Sequence, residues 1–286
     1  MADLILGTAT FGKGYGVSNK DKKFSNEKIR EIVRTAISLG IKHFDTAPAY
    51  GDAEKNLGEF LTHHSMISIS SKISRENGAS VKLMLASVND TLLRTKVKQL
   101  ENLYLHDPDA LVGLNSSETI AGLKEIISQG LVRRVGVSVY SMNTLLRSKE
   151  ICPELTVFQV PENICDRRLF QSSELAELKT QGNHFILRSI FLQGLLLMPP
   201  EEIPSILSEA KKTILQLRAF AISSGIHPLD LCMGYAKGIS WASGIIIGAA
   251  NAAQLREIIR SQPKLPENWD SRVDRLPEVI LDPRKW

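Results

Sequence analysis

Residues 25–46 read SNEKIREIVRTAISLGIKHFDT, and this stretch holds both halves of the unit from which the chain is built. Ser25 supplies an N-cap oxygen ahead of Ile29, Ile32, Val33, Ala36 and Ile37. Their three- and four-residue spacing makes one apolar stripe on a helix that begins near Asn26. Gly40 stops it, because glycine accepts the left-handed turn that closes a helix. The period then changes: Ile41 to Thr46 is a short apolar run of strand length. The same alternation recurs along the chain. Predicted strands are Leu4 to Ala9, Lys42 to Thr46, Ile67 to Lys72, Gln99 to His106, Arg134 to Ser138, Thr156 to Val160, His184 to Ser189 and Gly244 to Gly248. Between and after them the helical stripe returns, as Leu123, Ile126 and Ile127 before Gly130, and as Leu255, Ile258 and Ile259.

Strands separated by helices cannot pair through tight turns, and parallel strands with right-handed crossovers close most naturally into a (β/α)8 TIM barrel when there are eight. An open doubly wound sheet is the competing architecture. Its most specific cofactor signature, GxGxxG after an early strand, is absent from the sequence. With no Pro/Gly/Ser linker and no break in composition, the expectation is an α/β single domain. Residues 1–262 form the barrel, and residues 263–286 form a C-terminal tail packing on the barrel or near its pocket.

Composition narrows the function. The chain is 43% hydrophobic and 23% charged, as in ordinary globular proteins, which excludes fibrous and disordered readings. The net charge of +4 is scattered except for Lys20, Lys22 and Lys23, so no nucleic-acid stripe stands out. A small anionic ligand such as a dinucleotide is compatible with it. Cys152, Cys165 and Cys232 are odd in number, Met-Ala-Asp-Leu is no basic leader, and apolar runs such as Gly244 to Ala250 are too short to span a bilayer. The expectation is a reduced, cytoplasmic protein with no membrane segment, no nucleic-acid partner, no disulfide and no metal site. Nothing in the pattern sets an oligomeric state.

In a barrel the chemistry sits at the carboxyl ends of the strands. Asp45 ends the second strand, Tyr50 follows in its loop, Lys72 ends the third and His106 the fourth. Singly, each has a structural reading: a loop cap, a packed ring, an exposed cation, a core histidine. Four on consecutive strands favour a site, since a barrel-mouth lysine or aspartate is costly to desolvate unless the other pairs with it.

Phe44-Asp45-Thr46-Ala47 with Tyr50-Gly51, Ser71-Lys72-Ile73, Leu103-Tyr104-Leu105-His106, Gly136-Val137-Ser138 and Phe158-Gln159 together resemble the aldo-keto reductase superfamily, from about Leu4 to Ile259. The resemblance implies a barrel that binds an extended nicotinamide dinucleotide and reduces an aldehyde or ketone. Tyr50 would be the general acid, Lys72 the cation that lowers its pKa, Asp45 the group that keeps Lys72 charged, and His106 a hydrogen-bond donor to the carbonyl oxygen. The opening Phe11 to Asn19 and the closing Leu281 to Trp286 resemble a subgroup encoded with sugar and polysaccharide biosynthesis enzymes.

Cofactor contacts carry over less evenly. Ser138 and Gln159 stand at the carboxamide site, but the usual Ser-Asn pair is Ser138-Val139, with Asn163 a candidate substitute. Arg188, Ser189, Gln193 and Gly194 resemble the pyrophosphate-wrapping segment, and Arg188 replaces an aromatic that stacks on the nicotinamide. A guanidinium stacks too; a rim ion pair is the alternative. Gly248, Asn251, Gln254 and Glu257 fall in the segment that cradles the adenosine 2′-phosphate, with Gly248 and Gln254 where cations are expected. NADP(H) is the favoured cofactor and NAD(H) the alternative. Met198 to Pro204 would wall the pocket, and Trp286 would either lid it or pack on the surface. The rivals are a catalytically idle cofactor-binding barrel, acting as sensor or partner subunit, and a Schiff-base aldolase on Lys72, which ranks last.

Overall fold

The computed structural model describes residues 2–12, 16–17, 24–61, 64, 66–170 and 172–286, the side chain of Arg284 excepted. Lys20, Lys22, Lys23 and most of the Phe11 to Asn19 segment lie outside the described residues. Eight strands, β1 (Asp3–Gly7), β2 (His43–Asp45), β3 (Ser68–Ile73), β4 (Leu100–Leu105), β5 (Val132–Ser138), β6 (Leu155–Pro161), β7 (His184–Arg188) and β8 (Gly244–Ile247), form a closed parallel barrel. β8 pairs with β1, which disposes of the open-sheet alternative.

The helices of eight residues or more among the described residues are α1 (Asn26–Ser38), α2 (Ala53–Phe60), α3 (Val81–Thr95), α4 (Ser116–Ser128), α5 (Met142–Ile151), α6 (Ser173–Thr180), α7 (Lys211–Ser223), α8 (Pro228–Lys237) and α9 (Ala252–Arg260). α1 begins where Ser25 Oγ accepts from the Lys28 N–H at 3.3 Å. Gly40, beyond its end, has φ +87°. Leu123 and Ile126 are buried as the stripe requires, but Ile127 is exposed at the solvent edge of α4. β7 stops at Arg188, one residue short of expectation, because Ser189 has φ +62° and leaves the ladder.

The barrel's outer wall packs Leu6, Phe44, Ile69, Val135 and Phe158 beneath the helices, while Ile5, Tyr104, Val157 and Ile186 cluster separately. Removing such residues from water is the main stabilising term, at about 1.5–3 kcal/mol per large apolar side chain. The pleat places Asp45 beside Ser70, Lys72 beside Tyr104 and Ser138 beside Gln159 in register. At Gly136, where the β5–β6 register shifts, an added Cβ would stand 1.7 Å from the Val157 carbonyl oxygen. Only glycine lets the two strands approach this closely.

Beyond α9 the chain runs back over the barrel. Trp269, Val273 and Leu276 are buried, the Leu276 N–H donates to the Cys165 carbonyl at 3.0 Å, and Arg167 donates to the Val273 carbonyl at 2.8 Å. Pro283 reaches the cavity wall, whereas Trp286 is half-buried against the core.

Candidate active site

A cavity of about 640 Å³ opens at the carboxyl ends of the strands, and Asp45, Tyr50, Lys72 and His106 all line it. Lys72 Nζ lies 2.5 Å from Asp45 Oδ1 and donates to the Thr46 carbonyl at 3.0 Å, with both charged side chains buried. Asp45 Oδ2 accepts from the Gln159 amide at 2.5 Å. Burial alone would lower the pKa of the lysine, but Asp45, and Tyr50 after it, hold it above the ordinary value. The ammonium sits 5.1 Å from the centre of the Tyr50 ring. Burial, then the charges of Lys72 and Arg188, push the His106 imidazole below its usual value, so it is neutral at physiological pH.

Tyr50 ends a 3-10 turn, Pro48–Tyr50, after β2. The turn is pressed onto Gly12 so closely that a Cβ there would lie 1.6 Å from the Tyr50 carbonyl oxygen. Gly12 lies in the glycine-dense opening segment Phe11 to Asn19, which is the one sequence signal of this close approach. Below the Lys72–Asp45 pair, Ser70 Oγ meets His43 Nε2 at 2.7 Å and accepts from Asn102 Nδ2 at 2.9 Å. Behind β3, Ser71 donates to the buried Glu54 at 2.7 Å, and Glu54 in turn accepts from Arg94 at 2.7 Å. These contacts fix the strand that carries Lys72.

Across the cavity stand Ser138, Gln159, Arg188, Ser189, Gln193, Gly194, Gly248 and Gln254. Gln159 Oε1 is buried without a hydrogen-bond partner. Val139 is fully buried, and Asn163 does not replace the missing asparagine: its Nδ2 donates to the Ser189 carbonyl at 3.2 Å, bracing the loop after β7. In that loop Ser189, Leu192, Gln193 and Gly194 all have positive φ, a concentration of backbone strain of the kind that gathers at binding sites. Arg188 forms no ion pair among the described residues. Its guanidinium instead lies 4.2 Å over the Tyr140 ring, and its Nη2 donates to the Val139 carbonyl at 3.2 Å.

Asn251 and Glu257 do not line the cavity. Asn251 Oδ1 caps α9 by accepting from the Gln254 N–H at 2.8 Å, and Gln254 Oε1 reciprocates on the Ala250 N–H at 2.6 Å. Arg256 turns away to Thr35, into a separate groove shared with Arg30 and Arg34. Met198, Pro199 and Glu202 form one wall.

A family model described as Aldo/keto reductase family matches residues 3–276. The chain belongs to the aldo/keto reductase family. It is 27% identical over 274 residues to the L-glyceraldehyde 3-phosphate reductase of Escherichia coli (strain K12), covering 82% of this chain and 79% of that protein. It is 27% identical over 291 residues to the L-galactose dehydrogenase of Arabidopsis thaliana, covering 95% and 91%. The solved structure of the thermostable aldo-keto reductase Tm1743 with the inhibitor epalrestat superposes with a TM-score of 0.74 at 24% identity, over 95% of this chain and 93% of that one, and so shares the fold. Membership in the aldo/keto reductase family makes this an oxidoreductase of carbonyl chemistry, in a family that uses nicotinamide cofactors. Among the described residues no helix is long and apolar enough to cross a membrane.

Proposed function

We propose that the chain reduces an aldehyde or ketone, a sugar-related carbonyl compound first among the candidates, with NADPH or, less favourably, NADH. The observation that carries this reading is the buried Lys72–Asp45 pair, its ammonium 5.1 Å from the centre of the Tyr50 ring at the mouth of the cavity. A bound nicotinamide dinucleotide supplies hydride to the carbonyl carbon. The residues suit such a group. Gln159 Oε1 is an orphaned acceptor for a carboxamide N–H, the strained Ser189–Gly194 backbone turns where a pyrophosphate would lie, and Gly248 leaves open space within 4 Å of where its Cβ would be.

Hydride addition leaves negative charge on the carbonyl oxygen, which then needs a proton. Tyr50 donates it. Lys72, kept charged by Asp45, stabilises the phenolate that remains. Neutral His106 offers one N–H to the same oxygen and fixes the angle of the carbonyl. Phe191, Met198 and Pro199 give the cavity an apolar wall that limits water. The preference for NADPH is modest, because no cation stands at Gly248 or Gln254, the backbone N–H groups of Ala250 and Gln254 are spent on side-chain oxygens within the α9 cap, and Arg256 points elsewhere.

Purified protein incubated with NADPH or NADH and a panel of aldehydes, sugar aldehydes included, should consume reduced cofactor. Tyr50→Phe should lose about 10²- to 10⁴-fold in turnover with cofactor affinity near wild type, as expected for a missing general acid. Undiminished turnover would remove Tyr50 from the role. Tight cofactor binding with no turnover on any carbonyl compound would instead establish an idle cofactor-binding barrel.

A further inference from the structure

Among the described residues, four charged side chains line the cavity: Asp45, Lys72, Arg188 and Glu202. Asp45 and Lys72 cancel in a buried pair. Glu202 is exposed, so water screens its charge, and it has contacts of its own. Arg188 is different. Among the described residues it is held by neutral groups: the Tyr140 ring 4.2 Å beneath, the Val139 carbonyl at 3.2 Å and Ser189 Oγ at 3.4 Å. Its Nε is sealed from solvent with no partner, and no carboxylate among the described residues pairs with it. Neutral partners fix the guanidinium without cancelling its charge. The field extends toward the proton-delivery side of the cavity, where it contributes to holding His106 neutral.

We propose that the uncompensated charge of Arg188 sets the balance between the two redox forms of the cofactor, weakening the oxidised form relative to the reduced. The inference rests on reading the cavity as a nicotinamide site. The oxidised nicotinamide ring carries one positive charge and the reduced ring none, so a cation sharing a half-buried cavity repels only the former. In the direction of alcohol oxidation the substrate C–H bond breaks and carries its electron pair to the ring, cancelling that charge, while the hydroxyl proton passes to the Tyr50 oxygen. Arg188 favours this direction relative to the same reaction in water. The on-protein equilibrium is therefore shifted toward alcohol oxidation, with the bound couple poised nearer to even than in water.

Fluorescence titration of the purified protein with NADPH, NADP⁺, NADH and NAD⁺, each alone and without substrate, tests this. The wild type should bind each reduced form about tenfold or more tighter than its oxidised partner. Arg188→Gln should shrink that ratio by about tenfold, mainly by tightening the oxidised form, which equals about 30 mV for a two-electron couple. Arg188→Lys keeps the charge and should keep the ratio. Equal affinity of the wild type for both forms, or an unchanged ratio in Arg188→Gln, overturns the inference and leaves the nicotinamide reading standing. Binding of neither form overturns both. Should Arg188→Gln fail to fold, the wild-type ratio and the Arg188→Lys ratio decide alone.

Discussion

The two walls of the cavity are built on opposite plans. On the β2–β4 side the charged pair and its supports are largely spent on one another: Lys72 on Asp45 and the Thr46 carbonyl, Ser70 on His43 and Asn102, Ser71 on Glu54, and the atoms left over, Thr46 Oγ1 and Asn102 Oδ1, belong to residues outside the cavity lining. On the β6–β8 side, hydrogen-bonding capacity is left over at Gln159 Oε1 and Arg188 Nε, and the backbone after β7 is strained. The difference separates two tasks. Proton delivery needs fixed geometry, so Lys72 and Asp45 satisfy each other before any ligand arrives; a binding surface needs unfilled hydrogen-bonding capacity facing the cavity. Gln159 belongs to both, with its amide on Asp45 and its carbonyl oxygen unpartnered.

The largest effect expected lies behind the second wall. Glu162 follows β6, accepts the Tyr235 hydroxyl and the Leu169 N–H, and is pushed up to about 8, by burial first and the Asp166 charge next. A carboxyl with a raised folded-state pKa binds its proton more tightly folded than unfolded. Its stabilising contribution is therefore complete below the ordinary value of 4.5 and lost as pH rises toward 8, a change of roughly 5 kcal/mol at most. Thermal melts between about pH 5 and pH 9 should fall more steeply for the wild type than for Glu162→Gln. Parallel curves would mean that Glu162 ionises without cost.

On the proton-delivery side, Gly12→Ala forces a methyl into the Tyr50 carbonyl and so tests how fixed that side is. Displacing the acid by about 1 Å should cost about 10² in kcat, while NADPH binding stays near wild type. Full activity would show that Tyr50 tolerates movement and that the two walls differ less than their contacts suggest.

The smallest effect sharpens the account of the binding wall. Gln254→Arg should tighten NADPH about tenfold through a charged hydrogen bond and leave NADH unchanged, because only NADPH carries the phosphate. Fluorescence titration of both cofactors checks it. If the wild type already prefers NADPH by thousands and the variant changes nothing, the phosphate is held by groups other than those after β8.

The first wall was the more legible in sequence. Asp45, Lys72 and His106 stand at or just beyond strand ends where the pleat and parallel topology aim them together, so local pattern sufficed to unite them with Tyr50. Gly12 was not legible, because its requirement is a close approach to a backbone 38 positions later rather than a turn of its own. Nor were the commitments of Arg188 to Val139 and Tyr140, of Asn163 to Ser189, or of Arg256 to Thr35. In each, residue type announced a polar role, and only tertiary geometry chose the partner. Family resemblance puts Asn251 and Glu257 in the binding segment, yet the capping geometry of α9 directs Asn251 to its own helix.

The seam between β1 and β8 also has a consequence in time. The Lys72–Asp45 pair lies on strands complete by residue 73, and the proton-delivery wall as a whole is complete by His106, whereas closure needs Asp3 to Leu6 to meet Gly244 to Ile247. At synthesis rates of about 5–20 residues per second, on the order of ten seconds separates the two as the chain leaves the ribosome. During that interval the proton-delivery strands are already synthesised while the segments after β7 and β8 that would receive a dinucleotide are not, and the outer edge of β1 has no partner until the last strand of the same chain supplies it.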